Sequence, residues 1–217
     1  MTSQIITKLK LALGRTLPGN RAHQQMISYA RPSAEVIREM DVTPKESAVL
    51  ILLYKKKDQL YFPLIQRSEY DGVHSRQIGL PGGQKEEKDK GLYATAVRET
   101  YEEIGAVKNN ITILGALSEI YIPPSNFLVK PIVGFYDPSK PFIADKSEVS
   151  RILTSSLFEL INLKIEKKER YIHKDKFKTP VSCFMIENKI VWGATAMILY
   201  EFRTLLLENG IDSFLEK

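Results

Sequence analysis

The chain has 217 residues, of which 43% are hydrophobic and 26% are charged, as expected for one globular domain with a sizeable core. Its net charge of +5 comes without a basic patch interleaved with aromatic residues, so we expect a solvated lysine surface and no nucleic-acid binding. The single cysteine, Cys183, excludes an internal disulfide, and three scattered histidines argue against a zinc site. We therefore expect a reducing, cytoplasmic location.

Residues 1–44 are predicted to form a helix followed by an irregular arm, ahead of a main domain over residues 45–217. Apolar and basic residues alternate over residues 5–13 as in a short amphipathic helix. This stretch is too short for a membrane span and lacks the apolar core of a secretory signal, although a mitochondrial-type leader is an alternative. Residues 34–40 predict a helical turn. We assign the arm no chemistry and expect no membrane association.

Two continuous apolar runs, residues 48–54 and 60–65, predict neighbouring strands. The polar residues 55–59 between them predict a hairpin loop. Pro63 lies inside the second run, which indicates a strand edge or a bulge, since proline cannot donate to a ladder.

A helix is predicted to end at Gly105, which is placed as a C-cap glycine. Four of its positions are spaced by four, three and four residues, so they share one face. They are Tyr93, Val97, Thr100 and Ile104.

Three carboxylates, those of Glu99, Glu102 and Glu103, are predicted to form an exposed stripe on the opposite side of this helix. Like-charge repulsion and the helix dipole disfavour them, at a few tenths to about 1 kcal/mol for each interaction. A solvated acidic face is one interpretation. The other is a site for a hard divalent cation, which prefers oxygen ligands and would remove the repulsion. The preceding Pro81-Gly82-Gly83 supports the second, since glycines let backbone carbonyls come close.

Further elements are predicted beyond the helix. Residues 111–114, 117–122 and 128–136 are expected as strands, residues 157–161 as a short helix, and residues 191–206 as a closing helix with an apolar face. The intervening basic segment, residues 164–178, is either a solvated hairpin or loop, or a surface that draws in an anionic substrate.

The combination of Gly82-Gly83, Arg98-Glu99, Glu102-Glu103 and Gly105 resembles the signature of the Nudix hydrolases. That family hydrolyses a nucleoside diphosphate linked to another group. Its usual signature has an acidic residue six positions after the glycine and the arginine fourteen after it. Here Asp89 takes the sixth position and the arginine is one residue later, since 98 − 83 = 15. This longer spacing is similar to that of the branch that cleaves coenzyme A and its derivatives.

The resemblance implies an α/β fold, the Nudix-type α/β/α sandwich with a mixed sheet, and hydrolysis of a pyrophosphate by an attacking water. It implies Mg²⁺ or Mn²⁺ as cofactor, bound by carboxylates and one backbone carbonyl. The implied ligands are Gly83, Glu99, Glu102 and Glu103.

Two further catalytic roles are expected. Arg98 would orient the carboxylates by hydrogen bonding and not touch the substrate. Glu148, in a loop before the short helix, would complete the site as the general base, with Glu119 as the next candidate. The alternative for Glu148 is a helix-start glutamate favoured by the dipole.

Arg67-Ser68, then His74, then Pro81-Gly82-Gly83 stand at intervals similar to a substrate-selecting motif of the coenzyme A branch, and Arg67, His74 and Arg76 cluster just before the glycines. We expect them to donate to the extra 3′-phosphate of coenzyme A. Ser125 and Phe127 belong to the segment 121–127, which borders the pocket in that branch; the alternative is a rigid two-proline turn.

Three positions depart from the branch: Gly72 stands where arginine is usual, Arg76 where glycine is usual and Leu80 where phenylalanine is usual. The expected substrate is coenzyme A or a derivative, cleaved to 4′-phosphopantetheine and adenosine 3′,5′-bisphosphate by a monomer or homodimer. Alternatives are another dinucleotide such as ADP-ribose or NADH, or a non-catalytic nucleotide-binding module. The intact glutamate triplet argues against a module, which does not need it.

Overall fold

The computed structural model describes residues 2–27, 32–40, 42–69, 75–138, 140–171 and 178–215. In this part of the chain, helices cover both faces of a mixed sheet, and the predicted α/β/α sandwich is confirmed. The α-helices are α1 (Thr2–Leu13), α2 (Gly19–His23), α3 (Ala34–Glu39), α4 (Leu92–Ile104), α5 (Leu157–Asn162) and α6 (Gly193–Glu208). The strands are β1 (Lys45–Lys56), β2 (Gln59–Arg67), β3 (Ile78–Gly79), β4 (Gly82–Gln84), β5 (Ile111–Ala116), β6 (Ile120–Ile122), β7 (Phe127–Tyr136), β8 (Val149–Ser156), β9 (Glu166–Tyr171), β10 (Lys178–Ile186) and β11 (Lys189–Trp192).

The larger sheet has the order β3-β2-β1-β7-β5, with β4 also paired to β1, β6 to β7 and β8 to β2. β1 and β7 are parallel and the other pairs are antiparallel. A smaller antiparallel sheet has the order β11-β10-β9.

β1 is buried on both faces, which explains its unbroken apolar run. Leu50 and Leu52 pack on the side of α4, whereas Ile51 and Leu53 pack on the side of α1 and α6. Burial of each such side chain contributes about 1.5–3 kcal/mol. β1 is thus a rigid support for the glycines of β4 that pair with it.

The predicted hairpin is confirmed, with a tighter turn than expected. β1 and β2 are joined at Lys57 and Asp58, which have positive φ angles of 47° and 65°, as a two-residue hairpin turn requires. Among the described residues Pro63 is paired only with Thr154 of β8, and a bulge follows between Gln66 and Arg67. β2 therefore bends just before Arg67.

Other predicted boundaries need correction. The closing helix begins at Gly193, because residues 189–192 form β11 against β10. Of the residues 117–122 that were predicted as a strand, only 120–122 form one, which is β6. Of the basic segment, residues 166–171 form the outer strand β9 of a hairpin, and residues 172–177 lie outside the described residues.

The N-terminal arm is more regular than predicted. α1 is confirmed, and its residues Ile5, Leu9 and Leu13 belong to the same buried cluster as α6. α2 is tied to α6 by a buried contact between His23 and Glu201. The arm is therefore packed into the main core. None of the helices that the structure describes is long and apolar enough to cross a membrane.

Candidate functional site

The acidic side of α4 is largely buried, which corrects the predicted exposed stripe. Glu103 is 1% exposed, and the Glu99 side chain is 15% exposed; Glu102 is the exposed member of the triplet. Tyr93, predicted on the buried face, is instead 47% exposed. α4 turns these carboxylates toward β1 and β4. Their negative charge is offset there by Arg67, Arg98 and the backbone N–H of Gly82.

The two glycines of β4 let the backbone approach these carboxylates. Gly82 has φ of 149°, and a Cβ there would lie 2.2 Å from the carbonyl oxygen of Ala48. A Cβ on Gly83 would lie 2.6 Å from the carboxyl carbon of Glu99. A side chain is therefore excluded at Gly82 by the neighbouring backbone, whereas at Gly83 it would displace the Glu99 carboxylate. The close approach expected from the Pro-Gly-Gly sequence is present.

Glu103 is only partly hydrogen-bonded. Its Oε2 accepts a hydrogen bond from the Gly82 N–H at 2.8 Å. Its Oε1 has no hydrogen-bond partner among the described residues, and the Arg67 Nη1 lies 3.7 Å from it. Burial raises the pKa of Glu103 to about 8, although Arg67 and the Gly82 N–H oppose this shift. Burial also raises the pKa of Glu99. Burial thus makes the ionised form of both carboxylates unfavourable despite the arginines beside them.

Arg98 is buried and hydrogen-bonded on all sides. Its Nε and Nη2 donate to the two carboxylate oxygens of Asp89, each at 2.9 Å, and Nη2 also donates to the Gln84 carbonyl at 3.0 Å. Its Nη1 donates to Glu99 at 2.9 Å and to Glu102 at 2.8 Å. Arg98 also holds the pKa of Asp89 well below its usual range. The guanidinium therefore fixes the directions of Glu99 and Glu102 and has no donor aimed at open space.

Glu148 is exposed and lies in a turn that leads into β8. The predicted position before a helix is wrong, because β8 separates Glu148 from Leu157, where α5 begins. The turn is anchored through its backbone, since the Glu148 carbonyl accepts a hydrogen bond from the Ser68 N–H at 2.8 Å. The interpretation as a helix-start glutamate is therefore excluded.

Burial is the main cause of the raised pKa of Glu99 and Glu103, and the negative charge of Glu148 makes a smaller contribution in the same direction. Glu119, the next candidate for the base, instead forms an ion pair with Arg38. Of the two glutamates, Glu148 is thus the one with an electrostatic connection to the buried carboxylates.

The cationic residues predicted to bind the substrate, which precede Gly82 in the chain, lie in different surroundings. Arg67 reaches the site, where its Nη2 donates to the Gly82 carbonyl at 3.0 Å. Arg76 is exposed and forms an ion pair with Glu69. His74 lies outside the described residues.

The segment 121–127 is an ordered turn. Tyr121 donates from its hydroxyl to the Asn126 side chain at 2.9 Å, and Asn126 has a positive φ of 53°. The Ser125 hydroxyl is buried without a hydrogen-bond partner among the described residues. Phe127 is half-buried at the start of β7, with Lys45 Nζ 5.8 Å from its ring centroid. The turn offers one unpaired hydroxyl and one aromatic ring.

A divalent cation fits the donors of α4 and β4. The available groups are all oxygen atoms, and Oε1 of Glu103 is buried without a hydrogen-bond partner among the described residues, so the donor chemistry suits a hard divalent cation. No three His, Cys, Asp or Glu side chains of the described residues are placed to share one ion. Mg²⁺ commonly uses only one or two carboxylates together with waters and substrate phosphates. Glu99 and Glu103, with a backbone carbonyl, meet that requirement.

Comparisons with known proteins identify the family of this chain. Residues 44–169 match the family model of the NUDIX domain. Relatives described as "Uncharacterized Nudix hydrolase NudL", from Yersinia pestis (strain Pestoides F) and Yersinia pseudotuberculosis (serotype O:1b, strain IP 31758), are each 30% identical over 161 residues, covering 72% of this chain and 77% of theirs. A solved MutT/nudix family protein from Enterococcus faecalis has a TM-score of 0.50 and 18% identity, covering 87% of this chain and 73% of its own, and supports the fold alone. The chain belongs to the Nudix family and is a hydrolase that acts on pyrophosphate bonds.

Proposed function

We propose that this chain is a divalent-metal-dependent pyrophosphatase of coenzyme A or its derivatives, releasing 4′-phosphopantetheine, or its acyl form, and adenosine 3′,5′-bisphosphate. The observation that carries the metal-dependent reaction is the buried Glu103 beside Gly82, with one carboxylate oxygen left unpaired. The substrate is supported by the offset of fifteen positions from Gly83 to Arg98 and by the segment 121–127, both similar to the coenzyme A branch.

Nudix hydrolases generally use divalent metals such as Mg²⁺ or Mn²⁺. Here Glu99, Glu103 and the Gly83 carbonyl would hold the ion, with Glu102 joining them if it leaves Arg98. The bound cation supplies a Lewis acid that offsets negative charge on the phosphate oxygens.

The side chains of the protein have separate tasks. Arg98 holds Glu99 through a charge-assisted hydrogen bond, so that this carboxylate faces Gly83. Glu148 takes a proton from the attacking water onto its carboxylate, and its exposed turn gives it room to move to that water. The water oxygen attacks one phosphorus, and the bond from that phosphorus to the bridging oxygen breaks.

Selection of coenzyme A requires contacts to its 3′-phosphate and its pantetheine arm. Arg76 can supply a cation, since its exposed ion pair with Glu69 is of a kind that contributes about 0–1 kcal/mol and exchanges readily. A charge-assisted hydrogen bond to the phosphate would contribute about 1.5–3 kcal/mol, roughly a ten- to hundredfold preference over dephospho-coenzyme A. Ser125 and Phe127 would line the path of the arm.

A second candidate substrate class is another nucleoside diphosphate derivative, such as ADP-ribose or NADH. It is favoured by the direction of Arg67, whose guanidinium is already bound to the Gly82 carbonyl. A cation engaged in this way is less available to an additional phosphate than the sequence predicts.

A panel of pyrophosphates tests the proposal. Coenzyme A, dephospho-coenzyme A, ADP-ribose and NADH are incubated with the protein and Mg²⁺, and the products are resolved by chromatography. We expect coenzyme A to have the highest kcat/KM, and EDTA to abolish its cleavage. Equal or faster cleavage of ADP-ribose would contradict the substrate, and full activity in EDTA would contradict the metal.

A further inference from the structure

Arg67 occupies an unusual position for a substrate-binding cation. It is the last residue of β2, directly after the bulge, and its side chain is 29% exposed. Its Nη2 donates to the Gly82 carbonyl at 3.0 Å, while its Nη1 lies 3.7 Å from Oε1 of Glu103. Two of its nitrogens are therefore directed at the protein.

These contacts connect Arg67, Gly82 and Glu103 in a ring. The Gly82 N–H donates to Oε2 of Glu103, the Gly82 carbonyl accepts from Arg67, and Arg67 faces the other oxygen of Glu103. Gly82 has a φ of 149°, which is open to glycine but not to residues with a side chain, so this peptide has no side chain of its own to fix it and is held by Arg67 and Glu103. The next residue is Gly83, whose carbonyl is a proposed metal ligand.

We propose that Arg67 is a positioning residue for hydrolysis: it holds the Gly82–Gly83 peptide and the Glu103 carboxylate in place, and it does not recognise the extra phosphate of the substrate. This inference rests on the proposed roles of Glu103 and Gly83. It reassigns Arg67, for which the sequence predicted recognition of the 3′-phosphate.

The two roles differ in what the removal of Arg67 changes. A residue that binds the 3′-phosphate affects coenzyme A much more than substrates that lack this group. A residue that positions the site lowers kcat by the same factor for every substrate and leaves KM nearly unchanged. Small misplacements of catalytic groups can cost about a hundredfold in rate.

The kinetic experiment compares wild type with Arg67→Ala and Arg67→Lys on coenzyme A, dephospho-coenzyme A and ADP-ribose. The matched control is Arg151→Ala, which removes an exposed arginine of the neighbouring strand β8 that is ion-paired with Glu187. We expect Arg67→Ala to lower kcat about ten- to hundredfold by one common factor, with KM changed less than about threefold. Arg67→Lys should recover part of the loss, because one ammonium can still donate to the Gly82 carbonyl. Arg151→Ala should match wild type.

A second measurement needs neither substrate nor metal. Hydrogen exchange of the Gly82 amide is followed by NMR in the metal-free protein, with thermal unfolding as a check that each variant is folded. Exchange should be at least about tenfold faster in Arg67→Ala, intermediate in Arg67→Lys and unchanged in Arg151→Ala, because Glu103 loses the cation that holds it against this amide.

A loss confined to coenzyme A, or unchanged exchange at Gly82 in folded Arg67→Ala, would overturn the inference. If wild type does not cleave coenzyme A, the proposed substrate fails, whereas the exchange measurement and the kinetics on whichever pyrophosphate is cleaved still test Arg67.

Discussion

Two buried glutamates, Glu103 and Glu201, lie in almost equally dry surroundings, at 1% and 0% exposure. Both oxygens of Glu201 have partners: Oε2 is 2.8 Å from His23 Nε2, and Oε1 accepts from the backbone N–H groups of Gly19 and Ser118 at 3.0 and 3.3 Å. Glu103 has one satisfied oxygen and one without a partner.

This difference distinguishes a glutamate that stabilises the fold, Glu201, from one that we place in the functional site, Glu103. Buried polar groups are nearly always hydrogen-bonded, because an unmade bond costs about 1–3 kcal/mol. Glu201 obeys this rule and joins the N-terminal arm, the β5–β6 connection and α6. Glu103 breaks it at the point where β4 and α4 meet, and we assign its open oxygen to a cation. The predictions below are ways to test this contrast.

The largest effect is expected from neutralising the candidate metal ligands. Glu103→Gln and Glu99→Gln should each lower kcat/KM by about a thousandfold or more, since a neutral amide is a poor ligand for a hard cation. Circular dichroism and thermal unfolding should show an intact fold, because no buried charge is left unpaired. Near-normal steady-state activity of both variants would remove these carboxylates from the site.

Glu201→Ala should affect stability and not chemistry. It leaves two buried N–H groups and His23 without their acceptor, so we expect a loss of about 3 kcal/mol or more in the free energy of unfolding, measured with urea. The kcat of the folded fraction should stay within about twofold of wild type. Lost activity with unchanged stability would contradict the claim that Glu201 stabilises the fold and takes no part in the reaction.

Glu148→Gln tests the proposed base, and a general base typically contributes about a hundredfold or more. We expect the maximal rate to fall by about that factor. The comparison variant is Glu119→Gln, whose partner is the exposed Arg38 side chain. Unchanged maximal rates for Glu148→Gln across the pH range would exclude it.

The smallest effect is a pH dependence of stability in the metal-free protein. With its pKa raised to about 8, Glu103 keeps its proton in the folded state over a range in which the unfolded chain has lost it. Unfolding then releases a proton, so stability should fall as pH rises from about 4.5 to 8, by at most about 1.4 kcal/mol per pH unit. Glu103→Gln should flatten this slope in urea titrations, whereas Glu201→Gln should not reproduce the flattening. An equal slope in wild type and Glu103→Gln would refute the assignment to Glu103.

The sequence was sufficient where local physics decides the structure. The run of residues 48–54 becomes a strand buried on both faces, and Gly105 ends α4 in a left-handed conformation, as predicted. The glycines of β4 allow the close backbone approach for which glycine is suited.

The predictions from sequence were wrong where contacts between residues far apart in the chain determine the structure. The acidic residues of α4 were predicted to face solvent, whereas Glu103 is buried and its Oε1 lies 3.7 Å from Nη1 of Arg67, a residue of strand β2. The contact between His23 and Glu201 joins positions 178 residues apart and leaves no local signal. β8 was not predicted, which put Glu148 before a helix. Leu153 and Ser155 are both buried in β8, but a serine at the second position gives no apolar alternation in the sequence.

The most direct test of the account is a calorimetric titration of the metal-free protein with Mn²⁺ or Mg²⁺ in the absence of substrate. Wild type and Glu201→Gln should bind the ion alike, and Glu103→Gln should bind it at least about tenfold more weakly, which corresponds to about 1.4 kcal/mol. Equal affinities of wild type and Glu103→Gln would contradict the claim that the open carboxylate oxygen of Glu103 is a ligand position.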